Sequence, residues 1–167
     1  CELECTRGTV DDALAIDDIK AFIAAKDLED EHKYIPPMVS TTREHFDQKI
    51  AVIGSGPAGL SCAYFLAIEG YKPVVFEKQE MPGGMMTLGI PNFRLDKKVV
   101  NAEIEILKAM GVEIRCGVEV GKDVTIQQLR DQGYAAFYIA AGLQSGGKLD
   151  VPGADAVRRG GTVDRSG

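Results

Sequence analysis

The sequence predicts an α/β fold in which a mainly parallel sheet carries helices on its faces. Two observations lead to this fold class. Short apolar runs alternate with segments of helical periodicity along most of the chain. In addition, the segment Lys49–Gly59 joins an apolar run to a helical run through a glycine-rich turn, which is typical of strand–helix–strand units. A hydrophobic content of 45% over 167 residues supports a core of ordinary size.

Residues 1–48 are predicted to contain one helix followed by a connecting arm. Apolar side chains recur at helical spacing between residues 11 and 26, and Asp11 and Asp12 lie near the start. Residues 27–48 are mostly polar, and Pro36-Pro37 would stop a helix there. We therefore interpret this stretch as an arm that leads to the sheet.

The next part of the chain predicts the central unit of the fold. It comprises a strand at 49–53, a helix at 57–69 that Gly70 ends, and a second strand at 73–77. The first strand is apolar after its first residue, which suits a strand buried on both faces. Residues 78–95 then form a loop marked by glycine and proline, and its length favours a functional role over a plain connection.

The remaining elements follow from capping residues and apolar periodicity. Asp96 can cap a helix whose apolar stripe extends to about Met110, and Thr125 can cap a short helix that ends near Asp131. The run Tyr134–Ala140 is predicted to be a buried strand. Two short strands are expected between these helices, at 112–115 and 118–120.

The glycine turn meets the physical requirements for binding a dinucleotide. Gly54 allows a tight turn, Gly56 lets the backbone approach a pyrophosphate, and Gly59 lets the helix pack close to the strand. Pro57 suits the first helical turn, where its missing N–H costs no hydrogen bond. The free N–H groups and the helix dipole would then face the phosphates.

Glu77 ends the second predicted strand, at the distance from the glycine turn where an acid contacts an adenosine ribose. A carboxylate there could accept hydrogen bonds from ribose hydroxyls, and it would repel a 2′-phosphate. A glycine-rich turn in an ordinary strand–helix–strand unit would leave this acid unexplained. The motif alone permits NAD as well as FAD.

Two further segments resemble those that flavoproteins with this fold place beside the cofactor, and this resemblance implies FAD rather than a nicotinamide dinucleotide. Gly83 and Gly84 would let the long loop lie flat against a cofactor and would offer it backbone N–H groups. At the end of the last strand, Ile139–Gly142 carries small residues, so a backbone could lie close to the pyrophosphate from the opposite side.

Four segments of the chain carry a family resemblance: Lys49–Gly59, Phe76–Gly84, Gly89–Leu95 and Val99–Gly117. Together they resemble the FAD-binding domain of the flavoprotein family that includes the glutamate synthase small subunit and dihydropyrimidine dehydrogenase. The similarity covers about residues 1–155. It implies an incomplete Rossmann-like FAD-binding domain at 49–155, preceded at 1–48 by the C-terminal part of a helical iron–sulfur domain plus the arm. Residues 156–167 show no apolar period and are interpreted as a tail or linker.

The resemblance also implies which residues would contact FAD. Glu77 would hold the adenosine ribose, Arg94 would bind the pyrophosphate, and the backbone of Val120 would meet the adenine. Ala141 stands where the family usually has a threonine, so a hydroxyl contact is lost there. The phosphate loop would be Gly54, Ser55, Gly56, Pro57 and Ala58, with Lys78 and Gln79 beside the adenine, Gly84 and Met85 beside the flavin, and Gly142 beside the pyrophosphate.

The four cysteines indicate a reducing, cytoplasmic setting rather than a disulfide scaffold. Cys1 and Cys5 resemble the iron–sulfur segment that precedes the flavin domain in this family. A [4Fe–4S] cluster needs four ligands, and a further family position falls near Lys20. We therefore expect a cluster only in an intact parent protein, the alternative being two free thiols. Cys62 and Cys116 are predicted to be small buried hydrophobic residues.

Charge and hydropathy exclude other function classes. A net charge of −6 and a pI near 5.0 argue against a nucleic-acid partner. No apolar run approaches the ~20 residues of a membrane helix, and no signal peptide is visible.

The resemblance implies that NAD(P)H reduces FAD and that electrons then leave through iron–sulfur clusters of a partner subunit or domain. The family's NAD(P)H-binding domain follows the equivalent of residue 155, and this chain carries only one glycine fingerprint. We therefore expect the FAD-binding part of a flavin-dependent NAD(P)H oxidoreductase, inactive by itself. Two alternatives stay open: a non-catalytic fragment that folds without tight cofactor, and an NAD-binding Rossmann domain.

Overall fold

The computed structural model describes residues 2–37 and 47–144. Two short 3₁₀ helices, Glu2–Glu4 and Thr6–Thr9, open the chain. The helices and strands that follow are, in order, α1 Ile16–Glu29, β1 Lys49–Ile53, α2 Pro57–Ile68, β2 Lys72–Phe76, α3 Met85–Leu88, α4 Lys97–Ala109, β3 Glu113–Arg115, α5 Ile126–Asp131 and β4 Tyr134–Ile139.

The four strands form one sheet with the order β3-β2-β1-β4, and every neighbouring pair is parallel. The chain moves outward from β1 through α2 to β2 and through α4 to β3, then returns to place β4 on the other side of β1. The strand order therefore reverses at β1, and ligands of such sheets bind where the order reverses, beyond the carboxyl ends of the strands. The predicted α/β class with a mainly parallel sheet is confirmed.

Both faces of the sheet are covered, so β1 is buried on both sides as its apolar sequence predicts. On one face, Ala51 packs with β2 residues and with Leu129 of α5. On the other face, Val52 packs against Ala63 of α2 and against Val112. Ala51, Val52, Ala63 and Leu129 are fully buried.

The predicted helix caps are present. The carboxylate of Asp96 accepts a hydrogen bond of 2.9 Å from the backbone N–H of Lys98. Thr125 and Gln128 form a reciprocal capping box at the start of α5. These local bonds explain why both helices begin at the predicted residues.

Three predicted elements differ from the structure. Val118–Val120 is not a strand: Val120 makes only an isolated bridge to Val124, because Gly117 and Gly121 adopt positive φ and end the extended run on both sides. The predicted loop 78–95 contains the short helix α3. The strand β4 is mostly exposed rather than buried, since β1 is its only strand partner among the described residues.

The N-terminal helix also differs from its prediction. It begins at Ile16 rather than near residue 11, with Asp17 and Asp18 in its first turn. No residue of α1 is buried, and Phe22 and Ile23 are about 60% exposed. Within the described residues, no helix combines the length and the apolar character needed to cross a membrane. The proposed tail at 156–167 lies outside the described residues.

Candidate functional site

A cavity of about 310 Å³ opens at the carboxyl ends of β1, β2 and β4. This is the position at which the strand order of the sheet reverses. Its walls come from five separate stretches of chain. The lining residues are Ile53, Gly54, Gly56, Pro57, Ala58, Phe76, Glu77, Lys78, Gly84, Met85, Val118, Glu119, Val120, Ala140, Ala141, Gly142, Leu143 and Gln144.

Two glycines of the turn between β1 and α2 are required by the protein's own packing. Gly54 has φ +104°, and a Cβ added there would lie 2.3 Å from the carbonyl oxygen of Ala140. A Cβ at Gly59 would lie 1.9 Å from the carbonyl oxygen of Gly54. The tight turn and the close helix–strand contact predicted from the sequence are therefore both present.

Nothing in the described residues requires a glycine at position 56. Its φ of −68° suits any residue, and no atom lies within 4 Å of a Cβ built there. It is the N-cap of α2, no side chain caps this end of the helix, and Pro57 follows as the first helical residue. The first-turn N–H groups and the positive end of the helix dipole are thus available to an anion in the cavity. This empty space fits a bound phosphate group.

The Gly83-Gly84 pair packs directly against the turn between β1 and α2. A Cβ at Gly84, which has φ +55°, would lie 2.8 Å from the Cα of Gly56. The N–H of Gly83 donates to the carbonyl oxygen of Ser55 at 3.0 Å and to its hydroxyl at 3.2 Å. The loop after β2 therefore forms the wall of the cavity directly beside α2.

Glu77 contributes a buried carboxylate to the wall of the cavity, with 4% of its surface exposed. Its Oε2 accepts the N–H of Ser55 at 2.9 Å and the Ser55 hydroxyl at 2.6 Å, while its Oε1 accepts the N–H of Gln79 at 2.9 Å. Burial by itself would raise the pKa of this carboxyl, but the three hydrogen bonds and the charge of Lys78 outweigh it and lower the pKa. Glu77 is therefore ionised at neutral pH.

The structure brings most of the predicted site residues to this one cavity. Ser55 and Gln79 do not line it; the Ser55 hydroxyl and the Gln79 N–H donate instead to the carboxylate of Glu77. Arg94 is exposed and is not among the lining residues, so its contact with a pyrophosphate stays a prediction. The lining residues that were predicted are Gly54, Gly56, Pro57, Ala58, Glu77, Lys78, Gly84, Met85, Val120 and Gly142.

The sequence did not indicate Val118 and Glu119 as site residues. The segment that carries them is held against the end of β2, where the N–H of Val118 donates to the carbonyl oxygen of Glu77 at 2.9 Å. Gly117 and Gly121 bracket this segment with positive φ. A short apolar run between two glycines after β3 was the signal that could have identified it.

The cysteines do not form a metal site within the described residues. No group of three or more His, Cys, Asp or Glu side chains there is placed to hold a metal ion, and Cys1 lies outside them. Hydrogen bonding from the backbone at Leu14 and Arg7 lowers the pKa of the Cys5 thiol. Cys62 and Cys116 are half-buried rather than fully buried, and desolvation raises the pKa of both thiols.

Comparison with known proteins gives the same fold and a set of redox relatives. A family model described as an NAD(P)-binding Rossmann-like domain matches residues 52–109. The NADP(+)-dependent formate dehydrogenase subunit beta of Moorella thermoacetica is 40% identical over 93% of this chain and 24% of its own length. The glutamate synthase [NADPH] small chain of Halomonas elongata is 37% identical over 93% of this chain and 32% of its own length.

Among solved structures, Mycobacterium tuberculosis FprA in complex with NADPH is similar with a TM-score of 0.58 and 25% identity. The match covers 66% of this chain and 26% of that chain. These findings confirm the resemblance predicted from the sequence and the Rossmann-like fold. The chain spans about a quarter to a third of the length of the two curated relatives.

Proposed function

We propose that this chain is the FAD-binding part of an NAD(P)H-dependent oxidoreductase of the flavoprotein family that includes the glutamate synthase small subunit. The observation that carries the proposal is the open space in front of Gly56, in the same cavity as the buried carboxylate of Glu77. The N-terminus of α2 suits a pyrophosphate, and the carboxylate of Glu77 suits an adenosine ribose. The two curated relatives support a redox role, since both are named for enzymes that use a nicotinamide nucleotide.

The residues of this chain would hold the cofactor in an extended arrangement. Backbone N–H groups at the start of α2 would bind the pyrophosphate, and Gly56 would let it approach. Glu77 would accept a hydrogen bond from the ribose, and the backbone of Val120 would meet the adenine. Gly84, which lies beside Gly56, and Met85, which lines the same cavity, would lead toward the flavin ring.

When bound, FAD would accept a hydride from NAD(P)H and release electrons one at a time. We place NAD(P)H on a separate domain beyond the FAD-binding domain at 49–155, and the electron acceptor on a partner subunit or domain with iron–sulfur clusters. Cys1 and Cys5 would contribute to such a cluster in the parent protein, and Arg94 would reach the pyrophosphate there. A cytoplasmic location agrees with thiols that are free throughout the described residues.

The test is cofactor binding by the purified 167-residue chain. We expect FAD to bind with quenching of its fluorescence and to raise the melting temperature, because a ligand of the native state stabilises it. Gly56→Ala should reduce this rise, while the matched control Gly8→Ala, whose added Cβ would lie 3.7 Å from its nearest neighbour, should retain it. A wild-type chain that neither quenches nor shifts with FAD would oppose the proposal.

A second candidate function is an NAD-binding domain, which the description of the matching family model favours. The two candidates differ in the ligand that binds more tightly. If FAD displaces NAD in a competition titration at equal concentrations, the flavin proposal stands, and the reverse order supports the alternative.

The rate of catalysis by the chain alone tests where NAD(P)H binds. Because we place NAD(P)H on a separate domain, NAD(P)H-dependent dye reduction by the FAD-loaded chain should remain close to the rate of free FAD. Rapid turnover would contradict that placement.

A further inference from the structure

Ser55 occupies an unusual position in the glycine turn. It is fully buried and lies behind the cavity rather than in its wall. Its N–H and its hydroxyl both donate to Oε2 of Glu77, at 2.9 and 2.6 Å. The same hydroxyl oxygen accepts the N–H of Gly83 at 3.2 Å. One side chain thus connects the glycine turn, the carboxylate and the second glycine pair.

The hydrogen bonds on Glu77 limit what this carboxylate can still accept. An ionised carboxylate has about four acceptor positions, two on each oxygen. Within the described residues Oε2 already has two donors, both from Ser55, whereas Oε1 has one, from the N–H of Gln79. One acceptor position therefore remains, and it is on Oε1.

We propose that Ser55 is a positioning residue that fixes Glu77 so that its carboxylate accepts a single ribose hydroxyl, through Oε1. This inference rests on the proposed function, and it adds that the protein binds only one of the two ribose hydroxyls. A carboxylate with both oxygens free would bind both neighbouring hydroxyls of an adenosine ribose. With Oε2 saturated by Ser55, only one of the two hydroxyls has a partner in the protein.

The burial of the network explains why a serine is needed. Without the hydroxyl, Oε2 would keep only the Ser55 N–H and would regain an unused acceptor position in a buried site. The second hydroxyl of the ribose could then take that position. The Gly83 N–H would also lose one of its two acceptors, although its bond to the Ser55 carbonyl would remain.

The experiment compares ADP, 2′-deoxy-ADP and 3′-deoxy-ADP by calorimetric titration of the 167-residue chain and its Ser55→Ala variant. For the wild type, one deoxy analogue should bind like ADP, and the other should bind at least about tenfold more weakly, as expected for a lost hydrogen bond to a charged group. For Ser55→Ala, the ratio between the two deoxy analogues should shrink to less than about threefold.

Each outcome separates the inference from the function on which it rests. Wild-type protein that binds ADP but does not distinguish the deoxy analogues overturns the inference and leaves the binding site standing. A variant that binds all three ligands more weakly but keeps the wild-type ratio shows a merely structural role for Ser55 and also overturns it. Absence of ADP binding by the wild type overturns the proposed function as well. If Ser55→Ala does not fold, the ratio of the wild-type dissociation constants for the two deoxy analogues still tests whether a single hydroxyl is bound. Ser55→Thr, which keeps a hydroxyl, should preserve that ratio, and its loss would overturn the inference.

Discussion

The glycine turn between β1 and α2 has a packed side and an open side, and the two sides use the same residue type for different reasons. Gly54 and Gly59 are on the packed side, where a side chain would meet backbone at 2.3 and 1.9 Å. Gly56 is on the open side, where a Cβ would meet no atom of the described residues within 4 Å. The fold explains the packed glycines, whereas no contact among the described residues requires a glycine at position 56.

This difference separates stability from binding at neighbouring positions of one turn. Substitutions on the packed side should destabilise the protein whether or not a cofactor is present. Substitutions on the open side should leave the fold intact and reduce affinity. Glu77 joins the two sides, because its carboxylate is buried by the protein and also forms part of the cavity wall.

The largest effect is expected for Gly59→Ala. The added methyl group would approach the carbonyl oxygen of Gly54 to 1.9 Å, and backbone atoms would have to move to relieve the clash. We expect the free energy of unfolding to fall by about 3 kcal/mol or more. Urea unfolding followed by circular dichroism measures this, with Gly8→Ala as the control. A midpoint equal to that of the control would mean that the packed side is not packed as described.

Glu77→Gln should have the next largest effect on stability. A glutamine amide cannot accept all three donors that hold the carboxylate, so one of the buried groups loses its partner, at about 1–3 kcal/mol. Glu103→Gln, at an exposed position on α4, serves as the control and should change little.

The same variant gives a pH test of the Glu77 network. The folded-state pKa of Glu77 lies below its ordinary value of 4.5, so its contribution to stability is fully present above pH 4.5 and is lost as the pH falls through the folded-state pKa. The stability difference between wild type and Glu77→Gln should therefore be constant above that value and should shrink in acid. A difference that grows in acid would reverse the sign assigned to this pKa shift.

The sequence predicted the parts of the fold that depend on local chemistry. The end of β1 and the start of α2 follow from the glycine turn, and the starts of α4 and α5 follow from Asp96 and Thr125, whose side chains cap their own helices. The exposure of β4 could not be predicted, because it depends on how many strands flank it in space. A continuous apolar run looks the same at an edge as at the centre of a sheet.

The sequence predicted part of the candidate site as well. Residues whose backbone forms the cavity wall, such as Gly56 and Gly84, are marked by their lack of a side chain. Ser55 is different, because the resemblance places it in a phosphate loop whereas its hydroxyl faces Glu77. The direction of one side chain within a turn follows from the folded backbone, and no sequence pattern reports it.

Gly56→Ala separates the two sides most cleanly. Its backbone conformation suits alanine and the space is open, so stability should change by no more than about 1 kcal/mol. The methyl group would occupy the position of the ligand, so FAD should bind at least tenfold more weakly, about 1.4 kcal/mol. Parallel urea unfolding and fluorescence titration measure the two quantities. An unfolded variant, or one that binds FAD like the wild type, would remove the distinction on which the proposed site rests.

The smallest effect is expected for Lys97→Met. This variant tests whether the residues that follow Gly83 and Gly84 also contribute to stability rather than to binding. The ammonium group of Lys97 donates to the carbonyl oxygen of Met86 at 2.6 Å and to that of Ile90, and so ties the end of α3 to the start of α4. Methionine is unbranched and only one heavy atom shorter than lysine, and it removes both bonds, so stability should fall by about 1 kcal/mol. FAD affinity should change by less than about threefold, because Lys97 does not line the cavity. Lys98→Met is the exposed neighbour for comparison. A loss of FAD affinity without a loss of stability would show that Lys97 contributes to cofactor binding rather than to packing. The start of α4 would then belong to the open side.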